Sequence, residues 1–597
     1  MAKSEIYSPL PPWQRTDYCG ALRATDAGRE VALWGWVQTR RDHGGVIFID
    51  LRDRDGLVQL VLNPEINSTA HDAAGDARSE YYVAARGKVV RRAEGAVNAE
   101  LPTGEVEIVV SEFEILNVST PPPFSIADGE GAAEETRLKY RYLDLRRPAM
   151  QYNLRARHQA VKAIRDYLDM QGFIEVETPI LFKSTPEGAR DYLVPSRVNP
   201  GKFYALPQSP QLLKQILMIG GFDRYYQVAR CFRDEDLRAN RQPEFTQIDL
   251  EMTCPRPEDV QSVAEGMIAA AFARVLDIDV RAPFLRMTYQ EAMERFGIDK
   301  PDMRFGLELV NLSTAFAGTE FKVFAEVLAK GGSVYSINVP AANQLTRREL
   351  DELVKGVKTR YATGLAWVKI GDAGWQGPIA KYLNDNEKGR ATAAANLKTG
   401  DTMLMAAGSP GKVRPILGDI RLQLGAKFGM RESKDHKFLW IVDFPLFDYS
   451  EEDKRMVSVN HPFTAPHPED LLMLDGEPLK ARALAYDMVL NGEEMGGGSI
   501  RIHSRELQLK ALELLGLTRE DAVNRFGFLL EALGSGAPPH GGCAFGVERL
   551  CMMLCGTDSL RDVLAFPKTG KGVDPMSGAP SEVDPRQLKE LSIKVAL

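Results

Sequence analysis

Two stretches of alternating apolar and polar residues lie on either side of a charged loop between positions 226 and 251. In the second stretch the spacing places an apolar row and a polar row on opposite faces of a β-strand. The apolar row is Ile248, Leu250 and Met252, and the polar row is Gln247, Asp249 and Glu251. The first stretch carries Arg233 and Glu235 on one face by the same spacing. The pattern predicts a β-hairpin whose polar row faces water.

A second region of strand patterns lies between about residues 31 and 116, where turn residues separate five short stretches. Five short strands at this spacing are typical of a small closed barrel of the oligonucleotide-binding (OB) type, which binds single strands by stacking and charge. Both the stacking surface and the charge could come from side chains of this region: Phe48, Gln59, Arg40 and Arg41. Because an aromatic residue in an alternating strand is more often core than a base platform, the role of Phe48 stays open.

The barrel pattern ends in a segment that predicts a linker. Residues 119–131 include three consecutive prolines, Pro121, Pro122 and Pro123, which exclude a regular helix or a central strand. Between positions 137 and 157, seven basic residues accompany one acid, Asp144. This cluster predicts either a contact with a phosphate backbone or a helix face paired with acids elsewhere. The sequence favours neither.

Helix and strand patterns continue through the rest of the chain. A helix over about 153–171 precedes a strand stopped by Pro179, and Ser209, Gln211 and Lys214 cluster at the entry to another helix. Ser209 as an N-cap and Pro210 as the first helical residue would explain part of that cluster. Residues 287–429 show mixed patterns without a dense polar motif and predict an inserted domain.

Bulk composition narrows the class of protein. With 597 residues, of which 44% are hydrophobic, the chain should form several domains with cores of their own. The net charge of −8 confines any nucleic-acid contact to local patches. Six cysteines without a CxxC spacing fit reduced thiols rather than a zinc site. No apolar run is long enough for a signal peptide or a membrane span, so we expect a soluble cytoplasmic protein.

The charged loop of the hairpin offers candidate chemistry. Arginine guanidinium groups can fork onto phosphate oxygens, and Phe245 offers a flat face for a base, a combination that suits a nucleoside triphosphate. The arginines are Arg233, Arg238 and Arg241. Charge alone in a hairpin loop more often serves solubility. It is the combination of three arginines with Phe245 that favours a nucleotide-binding site. Asp487 and Glu494, near a glycine turn, could hold Mg²⁺, which prefers oxygen ligands and bridges phosphates.

The order F-R-x-E followed by R-x-x-x-F, at Phe232 to Glu235 and Arg241 to Phe245, resembles motif 2 of class II aminoacyl-tRNA synthetases. The stretch FRDEDLRANRQPEFTQID is similar to the aspartyl enzymes in particular. The helix, strand and proline before residue 180 resemble motif 1, and Gly542 to Arg549 resembles motif 3. The resemblance implies an α+β fold: an antiparallel catalytic sheet of six to seven strands, an N-terminal OB-fold barrel and an inserted α+β domain.

The resemblance also implies a division of the chain. The predicted parts are an OB-fold anticodon-binding domain (1–118), a linker or hinge (119–148), a first part of the catalytic core with motifs 1 and 2 (149–286), the insert (287–429), a second part of the core with motif 3 (430–563) and a C-terminal extension (564–597).

The activity implied by the resemblance is aspartate–tRNA ligation of the bacterial type. Such an enzyme makes aspartyl-adenylate from L-aspartate and ATP with Mg²⁺, then charges tRNA-Asp, and here also tRNA-Asn. Its partners would be the tRNAs and a second copy in a homodimer, with no membrane and a functional link to a tRNA-dependent amidotransferase. The alternatives are an enzyme restricted to tRNA-Asp, a related enzyme for asparagine or lysine, and a non-catalytic tRNA-binding paralogue.

Site residues follow from the resemblance position by position. Arg233 and Arg549 are the expected catalytic residues, acting on the α-phosphate and the outer phosphates. The ATP site comprises Arg233, Asp234, Glu235, Arg241, Gln242, Phe245, Glu494, Gly546, Val547, Glu548 and Arg549, and the metal ligands are Asp487 and Glu494. The aspartate site comprises Glu187, Ser209, Gln211, Lys214, Arg233, Asp249, His461 and Arg501. The family commonly has two histidines before PFT, whereas this chain has Asn460 and His461.

In the barrel, the resemblance implies that Phe48 and Gln59 contact anticodon bases. His43 and Gly95 match positions that differ between enzymes restricted to tRNA-Asp and enzymes that also charge tRNA-Asn. His43 resembles the relaxed group, which is the interpretation we favour; the alternative is a polar turn residue beside Gly44 and Gly45.

Overall fold

The computed structural model describes residues 10–127, 131–185, 189–235, 241–361, 364–432 and 434–596. The chain divides into two compact units. One comprises Met1–His158, Leu237–Gln242 and Cys555–Asp584, and the other comprises Gln159–Asp236, Pro243–Leu554 and Pro585–Leu597. Among the helices of the described residues, none is both long and apolar enough to cross a membrane.

The first unit begins with a closed barrel, which confirms the predicted OB-type fold. Its elements are β1 (Glu30–His43), β2 (Val46–Asp53), β3 (Gly56–Leu62), α1 (Ser68–Gly75), β4 (Tyr82–Arg91) and β5 (Val106–Asn117). The strands close in the order β1-β2-β3-β5-β4. Alternate residues fill the interior, such as Ile47, Ile49 and Leu51 of β2, because successive side chains of a strand point to opposite faces.

The basic cluster follows the barrel, on α2 (Glu134–Lys139), α3 (Arg141–Asp144) and the first part of α4 (Pro148–Met170). Most of its arginines pair with acids: Arg146 with Glu80 (2.8 Å), Arg147 with Asp144 (3.0 Å) and Arg155 with Asp55 (3.1 Å). Arg141 is buried, pairs with Asp144 and donates to the carbonyls of Arg561, Leu564 and Ala565. Of the two interpretations of the cluster, the structure favours the paired face.

The second unit contains the catalytic sheet. Its elements up to residue 296 are β6 (Ile174–Glu175), β7 (Leu193–Pro195), β8 (Phe203–Ala205), α5 (Gln211–Ile219), β9 (Arg224–Phe232), β10 (Glu244–Thr253), α6 (Pro257–Leu276), β11 (Leu285–Thr288) and α7 (Tyr289–Phe296). The predicted hairpin is β9 and β10, in which Phe232 pairs with Glu244.

The region 287–429 forms a sheet with helices on both faces. Its elements are β12 (Leu309–Asn311), α8 (Lys322–Ala329), β13 (Ser333–Val339), α9 (Arg347–Tyr361), β14 (Leu365–Gly371), β15 (Gly374–Gln376), α10 (Asp385–Ala394), β16 (Thr402–Gly408) and α11 (Pro410–Lys427). The five strands pair antiparallel in the order β12-β13-β16-β14-β15. Helices α9 and α11 contribute to the core on one face, and α8 and α10 to the core on the other.

The chain then completes the catalytic sheet. The remaining elements are β17 (Phe438–Val442), β18 (Phe447–Ser450), β19 (Arg455–Ser458), β20 (Ala485–Leu490), β21 (Glu493–Ile500), α12 (Arg505–Leu514), α13 (Arg519–Leu533), β22 (His540–Gly546), α14 (Val547–Cys555) and α15 (Pro585–Glu590).

The catalytic sheet has eight strands in the order β11-β17-β20-β21-β22-β10-β9-β6. The expected six to seven antiparallel strands are therefore a slight underestimate. The six central strands are antiparallel, but the edge strands β11 and β6 pair parallel with β17 and β9. These edge strands are four and two residues long. Alternation cannot be recognised over so few residues.

Glycines let the centre of the sheet approach its neighbours closely. A Cβ at Gly498 would lie 2.0 Å from the carbonyl oxygen of Gly542 on β22. A Cβ at Gly497 would lie 1.9 Å from Oδ1 of Asp487. Both distances are far below van der Waals contact, so these positions of β21 have no room for a side chain.

We expect Gly498→Ala to lower the melting temperature, because the methyl group must displace the backbone of β22; overpacking costs about 1 to 3 kcal/mol or more. Gly356→Ala on α9 is the matched control, since a Cβ there would meet nothing within 4 Å. Alanine within a helix is more favourable than glycine. Calorimetry of both variants tests this; equal melting temperatures would contradict it.

Candidate active site

Four buried charged side chains lie together on the polar face of β10. Lys214 Nζ lies 2.6 Å from Asp249 Oδ1 and 3.1 Å from Glu251 Oε2, and Arg501 Nε lies 3.0 Å from Glu251 Oε1. Their relative exposures are 1% for Lys214, 1% for Asp249, 0% for Glu251 and 4% for Arg501. We call Lys214, Asp249, Glu251 and Arg501 the buried quartet. The expectation that the polar row faces water is therefore wrong at Asp249 and Glu251, because cations from α5 and from the end of β21 cover them.

The two acids of the quartet respond differently to burial. For Asp249, desolvation outweighs the attraction of Lys214 and raises the pKa to about 6. For Glu251, burial alone would raise the pKa, but the charges of Arg501 and Lys214 outweigh it and hold the pKa at about 2. Asp249 Oδ2 is buried and has no hydrogen-bond partner among the described residues. Asp249 thus keeps one acceptor atom available.

A glycine on the neighbouring strand explains why the quartet fits there. Glu251 faces Gly542 across the β10–β22 ladder, and a Cβ at Gly542 would lie 2.3 Å from Glu251 Oε2. The glycine therefore makes the space that the carboxylate occupies. Arg501 is held further by Ser499 Oγ, which accepts a 2.9 Å bond from its Nη1.

At the loop end of the hairpin, the Arg233 guanidinium carbon lies 5.1 Å from the centre of the Phe245 ring, a cation–π contact. Arg233 N also donates to Pro243 O at 2.9 Å, which continues the ladder of the hairpin. Asp234 N donates to Arg190 O at 3.1 Å, and Glu235 is half-buried. The predicted triphosphate-binding arginine and adenine platform are thus adjacent. Two residues of the prediction, Glu187 and Arg238, lie outside the described residues.

Two predicted ATP-site side chains make internal hydrogen bonds. Glu548 is buried, and its two carboxylate oxygens accept from Thr246 N at 3.2 and 3.0 Å, which connects α14 to β10. Gln242 and Lys568 exchange two bonds within the first unit, at 3.0 and 2.8 Å, while Arg241 beside Gln242 is exposed. Gly546 ends β22 and Val547, which is buried, begins α14.

The predicted metal ligands Asp487 and Glu494 lie on the paired strands β20 and β21. Burial, followed by the charges of Glu494 and Asp299, raises the pKa of Asp487 well above its usual value. Burial likewise raises the pKa of Asp299, and Glu494 contributes. Within the described residues no lysine or arginine forms an ion pair with Asp487 or Glu494. Lys300 lowers the pKa of Asp299, but the neighbouring carboxylates of Asp487 and Glu494 have no such cation paired with them among the described residues, and such a pair fits a hard divalent ion. Arg549 Nη1 donates to the backbone oxygen of Glu494, next to this group.

The remaining aspartate-site candidates lie near the start of α5 and before β20. The helix begins at Gln211, with Pro210 as the capping position, so the expected N-cap at Ser209 is displaced by one residue. Ser209 Oγ accepts instead from Gln211 N at 3.3 Å. The His461 ring packs against Phe463, with 4.9 Å between ring centres.

In the barrel, Phe48 lies on the outer face of β2 rather than in the core, because its neighbours Ile47 and Ile49 fill the interior. Gln59 of β3 is half-buried and pairs with Asp50, two residues from Phe48. The His43 ring lies 6.2 Å from the Phe48 ring at the exposed end of the β1–β2 hairpin. Gly95 is exposed between β4 and β5. The outer face of the barrel thus presents an aromatic ring, an amide and an imidazole.

Sequence reasoning missed two residues of these clusters. Glu251, which binds both cations of the quartet, stood in the polar row of β10 but received no role. Asp299 carried no signal, since an isolated aspartate is usually a surface residue.

Comparison with known proteins gives concordant results. Residues 133–570 match the profile of class II tRNA synthetases (D, K and N), and residues 31–116 match that of OB-fold nucleic-acid-binding domains. The chain is 55% identical to the aspartate–tRNA(Asp/Asn) ligase of Syntrophotalea carbinolica, over 98% of this chain and 99% of that protein. It is 53% identical to the ligase of the same name from Caldanaerobacter subterraneus subsp. tengcongensis, over 98% and 99% of the two chains.

Among solved structures, asparaginyl-tRNA synthetase from Pyrococcus horikoshii complexed with asparaginyl-adenylate aligns with a TM-score of 0.59 at 20% identity. The alignment covers 93% of this chain and 98% of that one. At this identity the likeness concerns the fold, and it confirms the predicted fold class.

The raised pKa of Asp249 predicts a pH-dependent stability without substrates. A carboxyl whose folded pKa of about 6 exceeds its usual 3.8 stabilises the fold below pH 3.8 and loses that contribution as pH rises through 6. Relative to Asp249→Asn, the wild type should therefore lose about 2 to 3 kcal/mol between pH 4 and 7.

Melting temperatures of the two proteins across this range measure the difference. Asp259→Asn is a control for which the opposite pH dependence is expected. Hydrogen bonds from Arg256 lower the pKa of Asp259, so the wild type should gain stability relative to this variant as pH rises. A difference between wild type and Asp249→Asn that does not change with pH would contradict the assignment.

Proposed function

The chain belongs to the class II tRNA synthetases of the aspartate, lysine and asparagine group, and from this premise we propose that it is an aspartate–tRNA ligase. It activates L-aspartate with ATP and transfers the aspartyl group to the 3′ end of tRNA. The observation that carries the choice of amino acid is the buried quartet, in which Lys214 and Arg501 lie side by side on Glu251.

The charge balance of the quartet favours aspartate over asparagine. Two cations and two anions cancel, and the α-carboxylate of either amino acid is assigned to Arg233, so a ligand whose remaining groups add equal charges of both signs keeps the balance. Aspartate brings its side-chain carboxylate to Arg501 and Lys214, while its ammonium meets Asp249 Oδ2, which has no hydrogen-bond partner among the described residues. Asparagine brings the ammonium without that carboxylate. An unbalanced charge in a buried site is costly.

ATP binding is assigned to the hairpin and α14. Phe245 stacks on adenine, Arg233 binds the α-phosphate and the substrate α-carboxylate, and Arg241 and Arg549 bind the outer phosphates. An oxygen of the α-carboxylate attacks the α-phosphorus, the bond to pyrophosphate breaks, and aspartyl-adenylate forms. The 3′-terminal hydroxyl of tRNA then attacks the carbonyl carbon and AMP leaves. Such transfers need alignment and charge neutralisation rather than a protein nucleophile.

Mg²⁺ is the metal that fits the acidic group on β20 and β21. Asp487 and Glu494 would hold it, since both present carboxylates without an ion-pair partner among the described residues. When bound, it neutralises phosphate charge. The hydrogen bond from Arg549 to the Glu494 backbone places the guanidinium beside this group.

The tRNA is assigned to the barrel, where Phe48 and Gln59 face outward and can reach unstacked bases. The relatives at 55% and 53% identity are both named for tRNA(Asp/Asn). We therefore assign charging of tRNA-Asn as well as tRNA-Asp, with His43 and Gly95 at the positions that permit it. A tRNA-dependent amidotransferase must then convert aspartyl-tRNA-Asn to asparaginyl-tRNA-Asn.

We further assign a cytoplasmic homodimer. The segment that resembles motif 1 leaves the side chains of Ile174, Ile180 and Leu181 exposed. Exposed apolar groups of this kind mark protein interfaces. Light scattering, which gives the mass in solution, tests for the dimer.

Aspartate-dependent ATP–pyrophosphate exchange tests the proposed activity, and its absence would favour the non-catalytic paralogue. For specificity, we expect Arg501→Leu to abolish the preference for aspartate over asparagine. A site built on polar pairing discriminates by ~10⁴ or more.

The double variant Arg501→Leu/Glu251→Gln controls for an unpaired buried acid. It should fold better than the single variant and still not distinguish the two amino acids. If either folded variant kept its selectivity, the side-chain carboxylate must bind elsewhere.

For tRNA choice, we expect wild type to charge both tRNA-Asp and tRNA-Asn transcripts, and His43→Leu to charge tRNA-Asn less well. Two anticodons that differ at one base are separated by about 1 to 3 kcal/mol, or roughly 5- to 150-fold in charging efficiency.

Glu65→Leu places the same new side chain on an exposed turn after β3 and should charge both tRNAs as wild type does. Negligible charging of tRNA-Asn by the wild type would identify an enzyme restricted to tRNA-Asp.

A further inference from the structure

Behind the predicted aspartate site, three buried side chains form a line of hydrogen bonds. Gln211 Nε2 donates to Gln215 Oε1 at 3.2 Å, one helical turn along α5. Gln215 Nε2 lies 3.0 Å from His540 Nε2 at the start of β22. His540 Nδ1 lies 2.8 Å from Pro538 O. The exposures of Gln215 and His540 are both 0%, and that of Gln211 is 6%.

The chemistry of the groups fixes the direction of every bond in this line. A carbonyl oxygen can only accept, so the bond to Pro538 O requires a proton on His540 Nδ1. In the neutral imidazole Nε2 then carries no proton and accepts from the Gln215 amide nitrogen. The Gln215 amide oxygen must therefore point to Gln211 and accept from its nitrogen. One backbone carbonyl thus determines the orientation of two amides.

The orientation requires that His540 stay neutral. Burial lowers the pKa of His540, although the Glu251 carboxylate opposes this effect, and Arg501 and His503 add to the lowering. These three groups and Gln215 of α5 are the polar neighbours that face the ring. The lowered pKa favours the neutral ring, and the bond to Pro538 O then leaves Nε2 as the acceptor for Gln215.

We propose that Gln215 and His540 are positioning residues that lock the Gln211 amide with its oxygen directed at the substrate ammonium. Gln211 Oε1 makes no hydrogen bond to any described residue, so it is the atom left to accept. If the amide were reversed, its NH₂ would face the ammonium and repel it. The inference rests on the proposed function and on the predicted aspartate site, which includes Gln211.

A double-mutant cycle tests this positioning role. Gln215→Met keeps the volume but removes the two bonds that Gln215 makes, so the Gln211 amide is no longer held. We expect the KM for aspartate in pyrophosphate exchange to rise about tenfold, the value of one hydrogen bond to a charged group. The KM for ATP and kcat should stay within about twofold, because the ATP site is not involved.

Repeating the Gln215→Met change in a Gln211→Met protein shows whether Gln215 acts by positioning Gln211 or only by packing. If Gln215 acts through Gln211, adding Gln215→Met to Gln211→Met should change the aspartate KM no further. Additive effects, or a rise in both KM values with a fall in kcat, would show that Gln215 only packs the fold and would overturn the proposal.

His540→Gln supplies a second variant in case Gln215→Met does not fold. The glutamine amide oxygen can accept from Gln215 as His540 Nε2 does, so the aspartate KM should stay within about threefold of wild type. His540→Leu removes the acceptor and should raise it about tenfold. Equal KM values for these two variants would also overturn the proposal.

The failure of the inference differs from that of the proposed function. A wild type without aspartate-dependent exchange would refute the proposed function. An active wild type whose aspartate KM is unchanged in Gln211→Met would leave the ligase activity standing and refute the role given to Gln211.

Discussion

The buried quartet is the interaction on which the catalytic unit depends, because isolated charges cannot stay ionised in a protein interior. Lys214 of α5 pairs with both acids of β10, and Arg501 at the end of β21 pairs with Glu251. The acids and the cations thus come from different elements. This requirement fixes α5 and the end of β21 relative to β10. Replacing one member leaves its partner buried and unpaired, which costs more than the pair contributes. The cluster to which we assign the choice of amino acid is therefore also a condition of the fold.

Around the quartet, hydrogen bonds connect the elements that are predicted to bind ATP. Glu548 accepts from Thr246 N, so α14 and β10 are held together next to Arg549 and close in sequence to Phe245. The glycines of β21 and β22 let neighbouring strands approach and leave space for the acidic side chains. The site is thus formed before substrate arrives, and less of the binding energy is needed to order it.

Local patterns in the sequence were enough to predict much of this arrangement. The period-2 alternation predicted β9 and β10, and five strand patterns predicted the barrel, since both signals lie within a few residues. The burial of Asp249 and Glu251 could not be predicted in the same way, because their partners Lys214 and Arg501 are 35 and 250 residues distant in sequence. The bond from Glu548 to Thr246 spans 302 residues. Residue roles at the site came from resemblance, and they remain predictions.

The neutrality of the quartet has a consequence for ionic strength. Mobile ions screen charges that water surrounds, over about 10 Å at 0.1 M salt, but they screen a buried and balanced cluster far less. Under the proposed function, aspartate binds to such a cluster, whereas tRNA binds through phosphates whose counterions are released to solution. Added salt should weaken the hold on tRNA steeply while leaving the affinity for aspartate nearly unchanged. Under the proposed function, a change in salt concentration thus acts on tRNA binding far more than on aspartate binding.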